Sequence, residues 1–186
     1  MLGLAPAAIN AEWPVTLHEL PKNDRRNSPR LVPPGLDFRM ADEKDVLALV
    51  ELGREQFETS CYADFGVEFS AAQAEKFLTF ALENVLIPHL VATVDGKIVG
   101  GISFAYDHSF SKQPIAILQN VFVTKKYRRT LIGRMLLTMA ANIAKDEQAC
   151  AFFAPVNNGG DHVHSLGNLL SKIDFHMTGY IMTRKL

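Results

Sequence analysis

The sequence predicts an α+β domain, a mixed central β-sheet flanked by helices, preceded by an extended N-terminal arm. Three observations predict it. Residues 115–123 are a continuous apolar, β-branched and aromatic run, the pattern of a strand buried on both faces. Ile132, Met135, Leu136, Met139 and Ile143 then recur at steps of three and four, one apolar stripe on a helix. A second apolar run, 149–154, follows that helix. Strand, helix and strand in this order pair in parallel, because the helix supplies the crossover.

The remaining elements follow from local chemistry. Residues 1–35 hold six of the nine prolines and no sustained periodicity. They read as an extended arm, with Trp13, Val15, Leu17 and Leu20 as apolar anchors for docking on a protein partner. The domain, 36–186, opens with the alternating strand 36–40. Asp42 then caps a helix with Glu43 and Asp45 in its first turn and Val46, Leu49, Val50, Gly53 and Phe57 on one face. Ser70 with Gln73 makes a capping box for a second helix. Its buried side would be Ala74, Phe77, Leu78, Ala81, Leu82 and Val85, and Pro88 closes it. Two apolar runs flank Asp95-Gly96 within 90–106, the strongest hairpin signal in the chain. Gly100-Gly101 inside the second run marks a bulge or a close backbone approach. Beyond 149–154 come a turn at 155–160, a short helix near 165–172 and a closing strand within 175–183.

Composition limits the functions. A chain of 186 residues, 48% hydrophobic and 21% charged, has the makeup of an ordinary globular domain with a good core. A net charge of −1 argues against a general nucleic-acid-binding role. Cys61 and Cys150 have neither disulfide-framework nor metal-type spacing, so a reduced, cytoplasmic setting is the default. No run approaches the roughly 18 apolar residues of a membrane helix, and no signal peptide is visible. His162 and His164 beside Asp161 lack a third ligand nearby, so no metal is expected.

The chemistry concentrates between 115 and 146. A short loop with Lys125, Lys126, Arg128 and Arg129 joins the strand to the helix, and Arg134 follows Gly133. The first-turn N–H groups of a helix lack partners and its dipole favours negative charge. Added arginines and lysines make the junction an anion site. The bland alternative is a plain connection with a solvated basic surface.

This junction resembles the acetyl-CoA-binding motif of the GNAT N-acetyltransferase family: a strand, then Arg/Gln-x-x-Gly-x-Gly/Ala, then a helix. Arg128 takes the Arg/Gln position, Gly133 the last, and Leu131 stands where most members have the first glycine. The resemblance extends to Ala41-Asp42 with Asp45 before the first helix, to Val94-Asp95-Gly96-Lys97-Ile98-Val99-Gly100, and to Asp174-Phe175 near the end. Wording at 58–69 is similar to phage-encoded members. The resemblance implies a GNAT fold with acetyl-CoA as co-substrate and an amine acceptor, small molecule or protein. Backbone groups of Val121, Phe122 and Val123 would bind the pantetheine. Those of Arg128, Arg129, Thr130, Leu131, Ile132, Gly133 and Arg134 would take the pyrophosphate, and Asn157 would assist. The cofactor strand offers Gln119 and Asn120 where members often carry a basic Glu. Glu58 is the expected base, among Glu55, Glu68, Asp107 and His108, and Tyr180 the expected acid, with Tyr127 and Ser171 as alternatives, in place of the family's Tyr, whose position holds Leu170. The alternative is a member without catalysis, a structural or binding protein such as a phage virion component docked through its arm. Members often form homo-oligomers.

Overall fold

Among the described residues, five strands and four helices follow one another as the hydrophobic period switches between two and 3.6. The computed structural model describes residues 32–60, 62, 65–83, 87–109, 111–155 and 161–178. The arm expected at 1–35 lies outside these residues except for its last four. The strands are β1 (Leu36–Met40), β2 (His89–Val94), β3 (Lys97–Asp107), β4 (Ile115–Val123) and β5 (Ala151–Phe153), and they lie in that order in one sheet. The first four are antiparallel neighbours, and β5 joins β4 in parallel. The helices are α1 (Val46–Glu58), α2 (Ala71–Glu83), α3 (Ile132–Asp146) and α4 (Asp161–Ser171).

Turn and cap chemistry set the joints. Asp95 and Gly96 both have positive φ, 50° and 76°, the conformation of a type I′ turn. Asp42 accepts from the Lys44 N–H, and Asp45 accepts from the Asp42 N–H at 2.9 Å, a reciprocal cap. Asp45 also takes a bidentate Arg39 at 2.6 and 2.8 Å, which ties β1 to the start of α1. The Arg39 guanidinium holds the Asp45 carboxyl below the usual carboxylate range.

The two sheet faces are covered differently. Toward α3 and α4 lies the main core, where Phe104, Ile132, Leu136 and Leu137 are wholly buried. The stripe read from the sequence, Ile132 to Ile143, is buried as predicted. Phe104, Phe152 and Phe175 follow one another at 5.4 and 5.7 Å, so the segment after α4 is sewn to β5 and β3. Toward α1 and α2 the cluster is smaller, with Leu49, Leu52 and Val91 at its centre.

Three expectations need correction. On the predicted face of α2 only Ala81 is buried, while Phe77 is half exposed, because α1 already covers much of that side of the sheet. The strand expected at 149–154 is only Ala151–Phe153. Residues 175–178 have no regular structure, and the rest of the expected closing strand, like Val85, lies outside the described residues.

Candidate active site

The parallel pair comes apart almost as soon as it forms. β4 meets β5 only at Ile115, Ala116 and Ile117, opposite Ala151, Phe152 and Phe153. From Leu118 to Val123 β4 keeps β3 on one side and, among the described residues, has no strand on the other. The outward-facing backbone groups along that edge are therefore open to another hydrogen-bonding chain, up to the Val123 carbonyl, which accepts from Arg128. Pro155, which has no N–H to offer a ladder, stands beside the opening.

A bulge sets which side chains face the opening. Phe104 pairs with Leu118 but Ser103 pairs with Asn120, leaving Gln119 as the extra residue on β4. Strand side chains alternate with period two, so one extra residue inverts the alternation. Leu118 points into the α3 core, and Asn120 is turned to the α1 side. There it continues a row of directly paired residues across three strands, His89, Ser103 and Asn120. Gln56 of α1 reaches the Asn120 side-chain oxygen at 3.5 Å.

This polar row floors a cavity of about 240 Å³ beneath α1 and α2. Its walls are apolar, from Leu49, Leu52, Phe57, Phe77 and Phe122, with Tyr62 at one side and Pro155 and Leu166 across the opening. His89 is 7% exposed, and its Nδ1 lies 2.9 Å from the Ile87 carbonyl. A carbonyl only accepts, so Nδ1 carries the proton and Nε2 the lone pair. Burial pushes the imidazole below the usual histidine range, against a smaller upward pull from that carbonyl.

The basic loop runs from the end of β4 into α3. Leu131, at the N-cap of α3, makes no side-chain cap hydrogen bond and the first turn holds no acidic residue, while the Thr130 hydroxyl accepts from the Ile132 N–H at 3.4 Å. Leu131 has φ −78° and ψ −6°, ordinary right-handed backbone, so the loop at this position does not require glycine. A Cβ on Gly133 would sit 3.7 Å from both Leu169 Cδ2 and Val123 Cγ2, already in contact. Arg128 folds back over its own strand. Its Nε donates to the Val123 carbonyl at 3.0 Å and its guanidinium lies 4.8 Å from the Phe122 ring centroid. Glu55 of α1 accepts from the Lys125 N–H at 2.8 Å and lies 3.7 Å from Arg128 Nη2.

Among residues expected at the site, Val121 and Phe122 line the cavity at the open edge, and Val123 ends that edge. Arg129 is exposed, Thr130 donates its hydroxyl to the Tyr127 carbonyl at 2.7 Å, and Ile132 is wholly buried. Glu58 is exposed on the last turn of α1, and neither it nor Glu68, Asp107 or His108 lines the cavity. Asn157 and Tyr180 lie outside the described residues. Leu170 is a core residue at 5% exposure. Sequence reasoning missed His89 and Ser103. The signal was the alternation His89, Val91, Thr93, which puts a histidine on the face that Val91 presents to α1. Among the described residues, no group of three metal-ligating side chains occurs, and no helix is long and apolar enough to cross a membrane.

A sheet opened beside a basic helix start and a half-open cavity with apolar walls is the arrangement of an N-acetyltransferase fold. The Acetyltransferase (GNAT) family model matches residues 47–167, and the chain belongs to that family. Solved structures agree on the fold. An acetyltransferase of Trypanosoma brucei superposes with a TM-score of 0.60 at 17% identity, over 81% of this chain and 99% of that one. A "predicted acetyltransferase with acetyl-CoA" from Clostridium acetobutylicum gives 0.61 at 17%, over 80% and 95%. An aminoglycoside 6'-N-acetyltransferase from Acinetobacter haemolyticus gives 0.63 at 17%, over 80% and 96%. No curated protein matches by sequence. These comparisons carry the family, not the narrower likeness to phage-encoded members.

Proposed function

We propose that the protein transfers the acetyl group of acetyl-CoA to a primary amine by direct attack, with no covalent enzyme intermediate. The observation that carries this reading is the open edge of β4 from Leu118 to Val123, set between the basic start of α3 and the cavity. The donors fit the ligand: an extended amide chain can pair with the strand edge, and a pyrophosphate suits free N–H groups beside three arginines. Acetyl-CoA supplies an activated acyl group with a good leaving thiolate. The residues of this chain bind and orient. The β4 edge fixes the direction of approach, the loop at 128–134 holds the phosphates, and the α1–α2 walls exclude water from the acceptor. Bringing two reactants together in fixed geometry provides most of the acceleration.

Titration of the protein with acetyl-CoA in a calorimeter tests the reading, with Gly133→Trp as control. Leu169 and Val123 already touch the position of a Cβ at Gly133, so an indole must displace the start of α3. Micromolar binding that disappears in the variant is the expected result. Wild-type protein that gives no heat and no thermal shift at millimolar ligand defeats it.

A further inference from the structure

Among the described residues, the cavity leaves out charge. None of its described lining residues is Asp, Glu, Lys or Arg, and its titratable groups are His89 and Tyr62. The described charged residues on the packed elements stand off the lining: Asp37 and Arg39 on β1, Glu51, Arg54, Glu55 and Glu58 on α1, Glu75, Lys76 and Glu83 on α2, Lys97 and Asp107 on β3. A polycationic acceptor would lose hydration at several ammonium groups with no carboxylate to meet them. An amine with an apolar body loses hydration at one and gains contact with Phe57, Phe77 and Leu49.

The polar row supplies what that one ammonium needs. Nδ1 of His89 is committed to the Ile87 carbonyl, and Nε2 has no hydrogen-bond partner among the described residues. Two strand spacings, about 10 Å, separate β2 from β4. The imidazole covers part of that distance, and Ser103 lies on the line between. Resting on the acetyl-transfer reading above, we propose that the cavity accepts an apolar or aromatic primary amine of single charge, and that His89 Nε2 takes its ammonium proton, directly or through the Ser103 hydroxyl or one water. The freed lone pair attacks the thioester carbonyl carbon, the C–N bond forms and the C–S bond breaks. The second nitrogen proton passes to the departing sulfur, leaving amide and free thiol, and His89 returns its proton to solvent.

Free-thiol release from acetyl-CoA is measured with 2-phenylethylamine, spermidine and kanamycin as acceptors, on wild type and His89→Asn. Asparagine keeps an N–H for the Ile87 carbonyl and removes the base. The expected result is a kcat/KM highest for 2-phenylethylamine and a kcat lowered about 100-fold or more in the variant, with acetyl-CoA affinity unchanged. The wild-type rate should fall on the acid side of the ordinary histidine range, at a pH that moves with temperature as an imidazole's does, and the variant should lack that limb. If circular dichroism shows the variant unfolded, the temperature dependence of the wild-type acid limb decides. Preference for spermidine or kanamycin, or no turnover of 2-phenylethylamine by protein that binds acetyl-CoA, overturns the substrate class. A limb insensitive to temperature, or one retained in the folded variant, overturns the role of His89. Failure to bind acetyl-CoA in the calorimeter sinks the acetyl-transfer reading itself, which separates the two failures.

Discussion

Adjacent glycines on β3 should respond oppositely to a methyl group. A Cβ on Gly100 would lie 3.0 Å from the Phe122 carbonyl oxygen, 3.3 Å from Val123 Cγ2 and 3.4 Å from Ile132 Cγ2. The nearest atom is backbone and cannot rotate away, so β4 must shift by a few tenths of an ångström relative to β3. Overpacking of this kind costs about 1–3 kcal/mol, offset by about 0.4–1 kcal/mol from restricting the unfolded chain. A net loss of about 1–2 kcal/mol lowers the melting temperature of a domain this size by about 2–8 °C. A Cβ on Gly101 would meet Leu90 O at 3.5 Å, Leu52 Cδ2 at 3.6 Å and Leu49 Cδ2 at 3.8 Å, ordinary contact. Neither glycine has positive φ. Gly101→Ala should therefore be neutral or stabilising by up to about 1 kcal/mol. Thermal and urea unfolding followed by circular dichroism compare the pair. Calorimetry should also show weaker acetyl-CoA binding for Gly100→Ala, because the shift moves β4, whose other side is the open edge. Equal losses in the two variants, or a neutral Gly100→Ala, would refute the argument.

Phe104→Ala should cost about 3–5 kcal/mol in urea unfolding, since Phe104 is wholly buried and in ring contact with Tyr106 and Phe152. Tyr106→Phe should leave stability unchanged or raise it, because the Tyr106 hydroxyl is buried and meets no protein partner among the described residues. Asp45→Asn should cost about 1 kcal/mol at pH 7, discounted for the 40% exposure of Arg39. Because the folded Asp45 carboxyl titrates below its unfolded value, its contribution is present above about pH 4 and is lost as pH falls through the folded pKa. His89 follows the same sign: its folded pKa is depressed, so stability declines as pH drops below about 6.5, and His89→Asn should flatten that part of the stability profile.

The sequence made the frame legible wherever one element had one environment. Asp95-Gly96 announced its turn because only residues at ease with positive φ serve there. The bounds of α3 followed from a stripe facing a single core. Gly100-Gly101 pointed to an irregularity, and register shifts do occur nearby, between Ala92 and Thr93 and between Ser103 and Phe104. The extra residue on β4, however, is Gln119, and nothing in an apolar run marks which residue will be left out of step. The same slip hid the cavity floor. Asn120 shares a face with Ser103 and His89 only after the inversion, and in the sequence His89 is shadowed by Pro88, which reads as the end of a helix. α2 was overread for a related reason: an apolar stripe shows that a face avoids water, not whether a neighbour or a ligand covers it.

Glu55 gives the molecule a property beyond local geometry. One of its carboxylate oxygens takes the Lys125 N–H and sits near Arg128, while the helix that carries it supplies Leu49, Leu52 and Phe57 to the cavity wall. The wall of one binding region is thus pinned to the loop of the other. If the loop holds phosphate as proposed, a molecule that tilts α1 as it enters would strain or relieve that pin, and so change the affinity of the loop for phosphate. Free-energy linkage makes this reciprocal: phosphate at the loop must change affinity for the entering molecule by the same factor. Glu55→Gln would weaken the pin and bring the two affinities closer to independence.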